Sequence, residues 1–173
     1  MYYFKVDDFL EQYTEIGYAK NYPICKKQYE LSPDAVWLRN PEVQCKEEFI
    51  FYDEIFQFVL EDLQKLKGHK AIIAEGAAFL PKWMKQIDIQ WNHYLAIVPT
   101  KVFQVTHYQE REWIHEVLKD CRDKNQAFEN WMERDALFAK EIERQASEIG
   151  YQTIVNDGTL SVNQIIKEVC KHF

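Results

Sequence analysis

Between Pro41 and Gly68 the apolar residues Phe49, Tyr52, Phe56, Val59, Leu63 and Leu66 recur at intervals of 3, 4, 3, 4 and 3. That spacing writes one face of a long amphipathic helix, opened by the proline and stopped by the glycine. Such a helix must bury its stripe against another layer. The chain offers four short β-like runs: YYFKV (2–6), AIIA (71–74), YLAIV (94–98) and QTIV (152–155). The second and third are nearly continuous apolar runs, as expected of strands covered on both faces. Two further helical stripes follow. One spans 126–149 through Phe128, Trp131, Phe138, Ile142 and Ile149 and ends at Gly150; the other spans 161–172 behind Ser161 as N-cap. Strands alternating with helices predict one α/β domain over residues 1–173, with a mainly parallel sheet. The expected loops are 17–40, which holds two prolines, and the polar stretch 119–126.

Composition narrows the class of function. Apolar residues make up 47% and aromatic residues 15% of the 173, which excludes a disordered chain. A net charge of −7 argues against a nucleic-acid partner or an acidic membrane surface, while leaving room for one basic cleft. Cysteines 25, 45, 121 and 170 are too scattered for a CxxC pair and read as reduced thiols of a cytoplasmic protein. No apolar run approaches the ~20 residues of a membrane span.

Chemistry is expected at the carboxyl ends of the strands, where parallel sheets gather their ligands. The first run ends in Asp7-Asp8, the second in Glu75-Gly76, the third in Pro99-Thr100-Lys101 and the fourth in Asn156-Asp157-Gly158. Each alone is an ordinary turn; acids at three strand ends together point to a site. Glu75, directly behind AIIA, needs a cation or hydrogen-bond donor, and Mg²⁺ would satisfy it. Asp135 falls on the stripe between Trp131 and Phe138 and is expected to be buried and paired, with an arginine as the natural partner. Arg111, Arg122 and Arg134 flank a polar and aromatic segment; they suit either phosphate clamping or a solvated, ion-paired helix face. His107 and His115 share a helical face with Arg111 between them, which disfavours a metal there. Nothing nominates a base for Cys121.

The order of VDDF (6–9), EGAAFLP (75–81), VPT (98–100), NWMERDALFA (130–139) and NDGTLSVNQI (156–165) resembles the small P-loop kinases of the nucleoside and nucleotide kinase-like group, uridine-kinase-like proteins among them. The resemblance runs from residue 1 to 173 and rests on order and spacing. It implies a three-layer α/β sandwich with a lid-like helical segment at about 101–134. It also implies an ATP-dependent phosphotransferase using Mg²⁺ and a small-molecule phosphate acceptor. By that likeness Asp7 or Asp8 binds or deprotonates the acceptor, Glu75 supports Mg²⁺, and Arg111 and Arg134 neutralise the transferring phosphoryl group. Asn156, Asp157, Gly158 and Thr159 lie beside the adenine.

One part of the pattern is missing. The five glycines, 17, 68, 76, 150 and 158, form no G-x-x-x-x-G-K-[ST] loop, so the family's first strand and phosphate loop have no counterpart. That strand is central in the family order 2-3-1-4-5, and its loss would leave a slot about 9.6 Å wide. The chain is therefore expected to be an incomplete, inactive kinase with poor ATP affinity. The alternatives are a non-catalytic kinase-like module that binds nucleotide or protein, and a structural or interaction protein whose unpaired sheet edges recruit another strand, a homo-oligomer among the outcomes. The acceptor would be lined by 17–60, with Trp37, Arg39 and Tyr52 as candidates.

Overall fold

Strands form where the four β-like runs lie, but they pair in twos. In the computed structural model, which describes residues 1–173, the elements in chain order are β1 (Tyr2–Lys5), α1 (Leu10–Ala19), α2 (Pro23–Glu30), α3 (Pro33–Trp37), α4 (Pro41–Lys65), β2 (Ile72–Glu75), α5 (Pro81–Gln86), β3 (Leu95–Pro99), α6 (Lys101–Gln109), α7 (Glu112–Val117), α8 (Lys124–Ile149), β4 (Gln152–Asn156) and α9 (Val162–His172). Short 3₁₀ turns occupy Val6–Phe9 and Trp91–His93.

The expected three-layer sandwich around one mainly parallel sheet, with its central strand missing, is overturned. Helix accounts for 65% of the residues and strand for 10%. The strands make two separate parallel pairs, β1–β2 and β3–β4. Alternating strands and helices require only that each parallel neighbour be reached by a helical crossover; they do not require both crossovers to share a sheet. The loop expected over 17–40 is also corrected, because it contains α2 and α3. Of the five prolines in the chain, Pro23, Pro33, Pro41 and Pro81 are the first residues of helices. At that position the missing N–H costs nothing and the fixed φ favours the helix, so these prolines start helices rather than break them.

The chain divides into two compact units, Met1–Ser32 with Lys46–Leu80, and Pro33–Cys45 with Pro81–Phe173. In the first, β1 and β2 run in register from Tyr2↔Ile72 to Lys5↔Glu75. The period of two sends Tyr2 and Phe4 to one face and Tyr3 and Lys5 to the other. Phe4 is buried with Val6, Tyr13, Ile55, Phe58 and Val59, while Tyr3 and Ile73 lie exposed on the opposite face. A run of ring contacts, Phe4–Phe9, Phe9–Tyr13 and Tyr13–Phe58, ties β1 to α1 and α4. Gly17 lets α1 approach α2 closely, since a Cβ there would lie 2.4 Å from Cys25 Sγ. The Glu54 carboxylate of α4 accepts from the Ile24 and Cys25 amides at 2.8–3.1 Å and so closes the open N-terminus of α2.

In the second unit β3 and β4 pair from Leu95↔Gln152 to Pro99↔Asn156. Ala96 and Val98 are buried, and Ile97 between them is half exposed. The long α8 starts on an Asp123 cap and ends at Gly150 (φ 89°), where the Tyr151 amide donates to Ala146 O. Its buried stripe builds a cluster of Ile114, Leu118, Cys121, Ala127, Trp131 and Met132, with Trp37 and Tyr108 packed against it. All four cysteines are free thiols, and only Cys170 is exposed. No helix is long and apolar enough to cross a membrane.

Candidate functional site

At the carboxyl end of the β1–β2 pair, β1 stops at Lys5 and a 3₁₀ turn carries Asp7 and Asp8 forward. Glu75 is the last residue of β2, opposite Lys5. Gly76 follows with φ 140°, its Cα so close to the turn that a Cβ would lie 2.7 Å from Val6 Cβ and 3.6 Å from Asp7 Oδ1. Only glycine fits there, and its fit seats the Glu75-Gly76 segment against Asp7. This end of the unit therefore gathers Asp7, Asp8 and Glu75, while the third acidic strand end, Asn156-Asp157-Gly158, belongs to the second unit.

The three acids are not equivalent. Asp8 is exposed and pairs with Lys5 at 3.5 Å. Asp7 is solvent-accessible as a residue, yet packing around its carboxyl, and then the negative charge of Glu75, pushes its pKa above the ordinary aspartate value. Lys5 works in the opposite direction, and Asp8 and Glu48 add to the rise. Glu75 Oε1 accepts a 2.7 Å hydrogen bond from the Tyr3 hydroxyl, one register step back on the same face. That bond, before any other cause, raises the Tyr3 pKa.

No set of three or more His, Cys, Asp or Glu side chains gathers as a metal cage. Mg²⁺, however, commonly rests on one or two carboxylates and keeps its waters. Asp7 and Glu75 are oxygen donors of the right kind, and their mutual repulsion is what a cation relieves.

The second unit holds the remaining candidates. Asn156 ends β4, and its carbonyl accepts from the Thr100 amide at 2.9 Å, joining the loop to the N-cap of α6. Asn156 Oδ1 accepts from the Gly158 amide at 3.2 Å, and Asp157 Oδ1 accepts from the Thr159 amide and hydroxyl at 2.9 and 2.6 Å. The Thr159 hydroxyl, then its amide, lowers the Asp157 pKa. Gly158 (φ 85°) lies against Phe103, whose ring would be 2.8 Å from a Cβ. The loop Asn156–Thr159 is thus braced by its own Asx turns.

The two arginines differ sharply. Arg111 stands just before α7 without a side-chain capping bond, is exposed, and lies over the rings of Tyr108 at 4.6 Å and Trp113 at 5.9 Å. Arg134 is largely buried. Its Nε donates to Asp135 Oδ1 at 2.7 Å, its Nη2 lies 2.6 Å from the same oxygen, and its guanidinium covers Trp37 and Trp131 at 5.3 and 6.0 Å. The expected arginine partner of Asp135 is therefore its neighbour in sequence. Lys101, the cation at the end of β3, pairs with Glu133. Arg122 pairs with Asp34 at 3.6 Å.

The suggested acceptor-lining residues take packing roles. Trp37 stacks on Trp131 with centroids 4.4 Å apart, Tyr52 is 6% exposed, and Arg39 Nε donates to Val36 O. The sequence reading missed Tyr3 as the donor to Glu75, though strand alternation puts both on one face. It also missed Gln104, whose Nε2 donates to Asp135 Oδ2 at 2.7 Å while its buried Oε1 has no partner. A glutamine four residues before Tyr108 on the buried side of α6 was the one available signal. No protein-family model matches this chain, and no curated protein or solved structure is significantly similar to it.

Proposed function

We propose that this chain is a phosphotransferase-like domain, with at most slow transfer from ATP because it carries no G-x-x-x-x-G-K-[ST] loop, in which Asp7 stands as the base for an acceptor hydroxyl and Glu75 as its metal-side partner. The carrying observation is the paired carboxylates at the carboxyl end of β1–β2, with Asp7 held more proton-avid than an ordinary aspartate. A base must accept a proton during attack and release it afterwards, and a carboxylate pKa raised above the ordinary aspartate value makes Asp7 the stronger proton acceptor. Glu75 would hold Mg²⁺, which would supply neutralisation of phosphoryl charge. Tyr3 keeps the Glu75 carboxylate turned along the strand face. Taken by itself, the second unit would offer Arg111 and Arg134 as cations for phosphoryl oxygens and Asn156–Thr159 as a loop for a nucleotide.

Transfer from Mg-ATP to a panel of nucleosides and small hydroxyl compounds, followed by phosphorus NMR, tests this reading. Asp7→Asn and Glu75→Gln abolish the transfer if the roles are right; transfer that survives Asp7→Asn refutes them. A second reading is a kinase-like binding module without transfer, favoured by the internal ion pairs of Arg134 with Asp135 and Lys101 with Glu133. It predicts nucleotide binding with no turnover. In either case the two-stranded pairs leave strand edges without strand partners, and self-association through such an edge would appear as a concentration-dependent mass in light scattering.

A further inference from the structure

We infer that Gln104 is a positioning residue for Arg134, acting through Asp135; this rests on the reading of Arg134 as a phosphoryl-binding cation. Gln104 is 4% exposed, and its side chain is one of very few in the molecule left with a buried polar atom unsatisfied. Its Nε2 donates to Asp135 Oδ2 at 2.7 Å. The other carboxylate oxygen of Asp135, Oδ1, takes Arg134 Nε and Nη2 at 2.7 and 2.6 Å. One carboxylate therefore lies between a buried amide on α6 and a guanidinium on α8, and the amide fixes the rotation of that carboxylate about its Cβ–Cγ bond. The indole faces of Trp37 and Trp131 restrict the guanidinium from the side. Arg134 is thus held from three elements, α3, α6 and α8.

The cost of Gln104 supports a role outside stability. A buried carbonyl oxygen without a donor is unfavourable, and an apolar side chain of the same length would remove that penalty. Asp135 is accessible enough to take water in place of the lost amide, its side chain being 20% exposed. Gln104→Met should therefore leave the fold as stable as before, or more so, while freeing the carboxylate and the guanidinium to turn. Residues that break a packing rule without benefit to the fold are expected where function needs them.

The test uses the full chain with inorganic pyrophosphate as probe, followed by NMR of arginine Nε–H groups. In the wild type the Arg134 Nε–H gives a resolved signal with hindered rotation about Nε–Cζ, and pyrophosphate shifts it. Gln104→Met keeps the unfolding midpoint, collapses the hindered rotation and weakens pyrophosphate binding about tenfold, the value of one charge-assisted hydrogen bond. Arg134→Met is the control for the underlying reading. If Arg134→Met weakens binding and Gln104→Met does not, Gln104 has no positioning role and the phosphoryl reading stands. If Arg134→Met leaves binding unchanged, or pyrophosphate leaves the wild-type signal unmoved, the phosphoryl reading itself fails. A large fall in the midpoint of Gln104→Met makes Gln104 a structural residue and overturns the inference, and free rotation of Arg134 in the wild type does so without any variant.

Discussion

Gly76→Ala is the substitution that most sharply probes how the β1–β2 end is built. Two penalties act at once. The backbone stands at φ 140°, where a side chain is strained, at about 1–3 kcal/mol for a residue held in a sparsely populated region. The new methyl would also lie 2.7 Å from Cβ of Val6, which is fully buried and whose Cβ moves only with its backbone. Overpacking of that kind costs about 1–3 kcal/mol. Together the loss is about 2–6 kcal/mol, a large part of the roughly 5–15 kcal/mol that keeps a domain folded. Gly150→Ala is the reference, because Gly150 has φ 89° but nothing within 4 Å of its Cβ position. It carries strain alone, about 1–2 kcal/mol. Hydrogen exchange resolved by peptide reads each site in its own unit. Amides of β1 and β2 in Gly76→Ala should exchange roughly 30-fold to 10⁴-fold faster, and the effect of Gly150→Ala on α8 and β4 should be clearly smaller. Equal effects would refute the close approach of Gly76 to Val6.

Three further outcomes follow from the same geometry. Glu54→Ala leaves the Ile24 and Cys25 amides without their acceptor and should cost about 1–3 kcal/mol, read as a lower denaturant midpoint. Burial first, then the hydrogen bond to Glu54, pushes the Cys25 thiol up to about 12, so alkylation mapped by mass spectrometry should label the exposed Cys170 first and Cys25 only after unfolding. Because the folded-state pKa of Asp7 is raised by burial and Glu75, the native state binds more protons than the unfolded chain between the unfolded and folded pKa values. Its contribution is favourable below the unfolded pKa and is lost as pH rises through the folded one. Asp7→Asn should remove that slope and gain stability at neutral pH.

The local elements were legible because their signals are local. The 3-4-3-4-3 stripe became α4 (Pro41–Lys65), the stripe behind residue 126 became α8 (Lys124–Ile149), and Ser161 caps α9. Each of the four β-like runs lies within a residue of its strand. The sheet was misread because strand partnership depends on contacts that no window along the chain contains. The helices in 17–40 were misread because proline was taken as a breaker when it stood at the first helical position. Within the site, the strand-end acids could be picked out by position. Their ranking could not: Asp8 pairs with Lys5 three residues before it, while Asp7 is set first by burial and then by Glu75 across the strand pair. Gln104 was hidden for a similar reason, since it meets Asp135 across 31 positions.

The central claim concerns Asp7, and carbon-13 NMR of its side-chain carboxyl during a pH titration reads it directly. The account predicts that Asp7 titrates above an ordinary aspartate, that Mg²⁺ brings its pKa down, and that Glu75→Gln lowers it without metal and weakens the Mg²⁺ response. An Asp7 that titrates like an exposed aspartate, and does not respond to Mg²⁺ or to Glu75→Gln, would contradict the account.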